Sequence, residues 1–119
     1  MRTIDPRRLK VWQALSGLFL DVELGDEDFS HVARALVESG YSLEQVESIL
    51  WGEVFPVLKA NLHSVAGEWA GWTDDWLLQH LKISEAPARR PRFGMASKEI
   101  GRCWEQVAAR LPEDFLLRS

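Results

Sequence analysis

Apolar residues return at three- and four-residue steps along most of the chain. Leu9, Trp12, Leu15, Leu18, Phe19 and Val22 form one stripe on a helix of 3.6 residues per turn. Asp5 can accept bonds from the free amides of a first turn, and Pro6 is preset for the first helical position, so this helix starts there. Phe29, Val32, Ala33, Leu36 and Val37 mark a second helix, opened by the acidic turn Asp26, Glu27 and Asp28 and ended by Gly40. Gly25 is expected as the left-handed C-terminal cap of the first helix. The two are expected to pack as an antiparallel hairpin.

Ser42 and Gln45 fit a capping box, and Leu43, Val46, Ile49, Leu50 and Val54 continue an apolar face. Pro56 interrupts that face, which predicts either a kink or a fresh helix from about Phe55 to Leu62. Gly67 and Gly71 punctuate a turn-rich stretch. Thr73 then caps a helix carrying Trp76, Leu77, His80 and Leu81. Residues 85–96 hold two prolines and three arginines without periodicity and read as a loop or crossing linker. Ser97 opens the last helix, 97–111, with Ile100, Cys103, Trp104, Val107, Ala108 and Leu111 inward and Pro112 beyond it. No segment alternates with a two-residue period. The pattern predicts an all-α fold: one compact single domain, 1–119, of five or six helices.

Composition adds constraints. A chain of 119 residues that is 46% hydrophobic can bury a core without metals or disulfides. Cys103 is the single cysteine, so no intramolecular disulfide forms and a reducing compartment is expected. No apolar run approaches a membrane span, and the basic-then-apolar start lacks a cleavage pattern. A cytoplasmic protein with no membrane partner is therefore expected. Tryptophan is over-represented: six, against one tyrosine. Trp12, Trp51 and Trp104 fall on helical stripes and read as core. Trp69, Trp72 and Trp76 gather at one turn and read equally as core or as interface anchors.

Charge is uneven. The net charge is −4, yet residues 13–58 hold Arg34 alone against nine carboxylates, whereas residues 1–12 and 86–119 are each net basic by three. Such an acidic middle can steer and select a cationic partner. Nucleic acid is disfavoured, because Arg89, Arg90 and Arg92 make only a short positive footprint.

Chemistry-bearing motifs are absent. His31, His63 and His80 do not pair at helical ligand spacing, and Cys103 sits on an apolar face beside Trp104. No nucleophile elbow, phosphate loop or dinucleotide fingerprint occurs. No catalytic residue, metal ligand or cofactor is expected, and the chain does not read as an enzyme.

VWQALSGLFLDVEL (11–24), SILWGEVFPVLKANL (48–62) and AGEWAGWTDDWL (66–77) together resemble a family of small bacterial proteins classed as a domain of unknown function, over residues 8–82. The resemblance implies a compact cytoplasmic helical domain and brings no site residues. In size, acidity and lack of catalytic apparatus the chain is also similar, as a class, to immunity proteins that neutralise secreted bacterial toxins. The leading expectation is a protein-binding module of that type, whose cognate partner, such as a secreted toxin, meets Asp21, Glu23, Asp26, Glu27, Asp28, Trp69 and Trp72. The alternatives are a small-ligand or metal-binding protein using Asn61, His63, Glu68, Asp75 and His80, and a structural subunit of a larger assembly. The oligomeric state is not legible.

Overall fold

In the computed structural model, residues 4–19, 24–59, 72–84, 88–92 and 94–118 are described; they form six helices and no strand. Helix α1 is Pro6–Ser16, and a 3-10 turn, Gly17–Phe19, extends it. The Asp5 carboxylate accepts from the Arg7 amide at 2.8 Å, capping α1 as the sequence predicts. Helix α2 is Asp26–Ser39. Gly40 ends it in the left-handed region, at φ 82°, where a side chain would be strained.

Gly25 differs from expectation. It is extended (φ −117°, ψ −174°) and lies at the N-terminus of α2, where its amide donates to the Asp28 carboxylate at 2.8 Å. The acidic first turn that the dipole favours thus also supplies the cap.

Helix α3 is one rod in three parts: α-helical Leu43–Ile49, a π-helical stretch Leu50–Val54, and α-helical Phe55–Leu58. Ser42 and Gln45 close the predicted capping box, at 3.2 and 2.8 Å. A fresh α-helical turn starts at Phe55, one of the two outcomes expected of Pro56, and it follows directly on the π stretch. The π stretch inserts an extra residue just before it, and Pro56 falls at the start of the following α-helical turn, where its missing N–H is least costly. Residues 60–62 lie outside the described residues. From Ile49 to Phe55 every residue but half-buried Gly52 is buried, so this stretch is the centre of the core.

Helix α4, Asp74–His80, is capped by the Thr73 hydroxyl, which accepts from the Trp76 amide at 3.1 Å. Residues 88–92 are non-helical, as expected of the linker, but helix α5, Met95–Ala108, starts two residues before Ser97. The reason is Gly94, whose φ of 111° turns the chain into the helix, while the Ser97 hydroxyl donates back to the Gly94 carbonyl at 3.1 Å. The chain turns again after Ala108, and Pro112 leads into a short helix, α6, Glu113–Leu116, that the pattern did not predict. Phe115 on α6 is fully buried, which pins that end to the core.

Core tryptophans are as expected. Trp12, Trp51 and Trp104 are 0%, 5% and 7% exposed. Burying an indole requires an acceptor for its N–H, and α3 provides two: Glu53 for Trp12 at 2.9 Å and Glu47 for Trp104 at 3.1 Å. Among the described residues, no buried side-chain polar atom lacks a partner. The radius of gyration is 13.4 Å, near the roughly 13 Å expected for a compact chain of this length.

Candidate functional site

Helices α1 and α2 pack on each other and leave a groove of about 700 Å³ along their outer edge. Its floor is apolar: Leu9, Ala14 and Leu18 from α1 and its 3-10 extension, Leu24 before α2, and Val32 and Ala35 on α2. Lining positions recur with the helical period on both walls, which is why one groove runs between them. The rim is polar, with Asp28, His31 and Glu38 on α2, Lys10 and Gln13 on α1, and Asp74 at the start of α4. The Gln13 amide links α1 to the start of α4 by donating to the Trp72 carbonyl at 2.9 Å and to the Asp74 carboxylate at 2.7 Å.

The rim's charge follows from where the arginines go. Arg7 bonds the Asp5 carboxylate, and that hydrogen bond holds Asp5 below the ordinary carboxylate range. Burial of Arg8 works against its charge, but bonding to Glu53 outweighs this and raises its pKa. Arg110 pairs with Asp26 and stacks over Phe29, with its guanidinium carbon 5.4 Å from the ring centre. Arg118 donates to the carbonyls of Val37 and Tyr41, at 3.1 and 3.3 Å. Four arginines from the two basic ends are therefore held within the domain. Among the described residues the groove has three carboxylates, Asp28, Glu38 and Asp74, against the ammonium of Lys10.

Of the residues expected to bind a partner, Asp26, Glu27 and Asp28 are exposed together on the first turn of α2. Asp28 lines the groove, and Asp26 is occupied by Arg110. Trp72 is half-buried and packs against the core, its ring 6.1 Å from Trp76. Asp21, Glu23 and Trp69 lie outside the described residues. So do Asn61, His63 and Glu68 of the alternative ligand or metal set; its other members, Asp75 and His80, are exposed on α4. His80 stacks on Trp76 at 4.0 Å, and its Nδ1 lies 2.8 Å from the Trp76 carbonyl oxygen. Among the described residues, no group of three His, Cys, Asp or Glu side chains is placed to hold a metal ion. No described helix is long and apolar enough to cross a membrane.

Sequence reasoning missed Glu38, His31 and Lys10 as rim residues and Glu53 as a buried acceptor. Only their helical phase carried a signal: 28, 31, 35 and 38 share one face of α2.

These features define a small all-α domain with an acidic-rimmed apolar groove. A family described as Domain of unknown function (DUF7079) matches residues 6–110, and the chain belongs to it. The match runs past residue 82, where the resemblance seen in the sequence ended, and takes in the 88–92 crossing and all of α5. No curated protein and no solved structure matches the chain.

Proposed function

We propose that the chain is a protein-binding module that holds a cationic partner at the groove between α1 and α2. The observation that carries this reading is the charge distribution: Arg7, Arg8, Arg110 and Arg118 are engaged within the domain while Asp28, Glu38 and Asp74 stay on the groove rim. A rim in which carboxylates predominate around an apolar floor supplies selectivity at its edge and binding area at its centre. The finer reading is an immunity-type protein of the bacterial cytoplasm that neutralises a cognate toxin by direct binding. Its support is the acidic binding face together with a sequence lacking reaction chemistry.

The test is capture of partners from the source cells by wild-type protein and by a Glu27→Lys, Glu38→Lys variant. Both residues are exposed, and their side chains carry no hydrogen bond or ion pair among the described residues. Reversal there changes charge without removing a cap. Enrichment of one basic protein by the wild type, lost on reversal and with rising salt, is expected. Equal capture by both proteins at all salt concentrations would refute the electrostatic reading. Co-expression of the captured protein then tests neutralisation, through rescue of growth.

A further inference from the structure

We infer that the groove receives a single amphipathic helix of the partner protein, apolar stripe inward and Lys or Arg along its flanks. This rests on the protein-binding reading and names what that face recognises. The groove has two helical walls, and its α2 wall runs from Asp28 to Glu38, about 15 Å at 1.5 Å per residue. That length matches three turns of a helix laid alongside, and a third helix packs onto two others by the same ridge-and-groove rules.

Gly17 adds an independent observation. Its backbone is ordinary right-handed helix, φ −59° and ψ −23°, so conformation does not call for glycine. Apart from its chain neighbours and its own helix backbone, no heavy atom of the described residues lies within 4 Å of where its Cβ would be. Gly17 stands at the C-terminal end of α1, where the helix passes into the 3-10 turn. What the missing side chain leaves is room along the groove wall, beside the small residue Ala14. The occupant's charge follows from the rim, where carboxylates outnumber the ammonium by three to one among the described residues.

The experiment titrates the full chain with three synthetic peptides of about 18 residues, roughly five helical turns. The first carries Leu at helical spacing with Lys on the flanks, the second the same Leu stripe with Glu, and the third the first composition with Leu positions permuted. Each is measured by calorimetry against wild type, Gly17→Phe, which fills the groove, and Glu38→Lys, a surface change whose folding is checked by circular dichroism. The Leu/Lys stripe is expected to bind wild type at least about tenfold tighter than either other peptide, and each variant to lose at least about tenfold. Equal binding of the permuted Lys peptide would overturn the helix inference and leave the cationic-partner reading standing. Equal binding of the Leu/Glu peptide would overturn both. Failure of the Leu/Lys stripe to bind, with a captured basic partner still bound, would overturn the helix inference alone. Sedimentation as a dimer that Gly17→Phe dissociates would also overturn it, by making a second copy the occupant.

Discussion

The Trp12 indole donates to the Glu53 carboxylate at 2.9 Å, with Trp12 fully buried and Glu53 only 2% exposed. Arg8 pairs with the same carboxylate, and the Ser84 amide donates to it at 3.1 Å. One buried anion therefore ties α1, α3 and the segment after α4. Glu53→Ala would strand these donors, and removing one partner of a buried pair costs about 3–5 kcal/mol. That is a large part of the roughly 5–15 kcal/mol available to a small domain. Glu53→Gln keeps an acceptor for the indole or the amide and should lose less. Urea unfolding followed by tryptophan fluorescence measures both, and a loss below about 1 kcal/mol for the alanine variant would mean that the donors find other partners.

Two half- or fully buried glycines under the 88–92 crossing should respond differently to alanine. A Cβ on Gly52 would stand 2.8 Å from the Ala88 Cβ, which cannot move without its backbone. A Cβ on Gly101 would meet the Arg90 guanidinium at 2.3 Å, the far end of a flexible side chain. Gly52→Ala is expected to destabilise by about 1–3 kcal/mol through overpacking. Gly101→Ala is expected to be near neutral, because gained helix propensity of up to about 1 kcal/mol offsets the lost Arg90 seat. Thermal unfolding of the two variants side by side gives the comparison.

Gly40 and Gly25 separate a conformational glycine from a replaceable one. Gly40→Ala forces a side chain into the left-handed region and is expected to cost roughly 1–2 kcal/mol. Gly25 is extended and no described residue crowds its Cβ position, so Gly25→Ser should gain a few tenths of a kcal/mol at most as an N-cap. Chemical denaturation midpoints report both.

Cys103 should react slowly. Burial pushes its thiol above the ordinary value, opposed by nearby Arg102 and reinforced by Glu99. Less thiolate is then present at neutral pH, and alkylation of the native protein is expected to be at least about tenfold slower than in urea. The sign for stability follows. The unfolded thiol ionises first, so stability is unaffected below about pH 9.0 and falls as pH rises from there through the folded value. Cys103→Ser should remove that alkaline fall.

What was legible in the sequence was local. Asp5, Ser42 with Gln45, and Thr73 cap their helices through bonds spanning two or three residues, which spacing alone can reveal. Gly25 and Ser97 depart from the pattern because each depends on a neighbour, the reach-back of Asp28 and the turn at Gly94; the fresh helix at Phe55 is legible from Pro56, but the π stretch before it is not. Glu53 looked like one acid among nine in the middle of the chain, and its burial follows from the π stretch and from Trp12 and Arg8 arriving from 41 and 45 residues away. The groove is a property of two walls together, so neither the stripe of α1 nor that of α2 disclosed it. The acidic middle was plain, but which acids stay unpaired depends on arginines folding back from the ends.

Hydrogen exchange of the chain, alone and with its captured basic partner, tests the central claim most directly. Slowed exchange in α1 and α2, across residues 9–17 and 28–38, with α5 and α6 unchanged, is the predicted result. Protection confined to α5, α6 or the 88–92 crossing, with α1 and α2 unaltered, would contradict it.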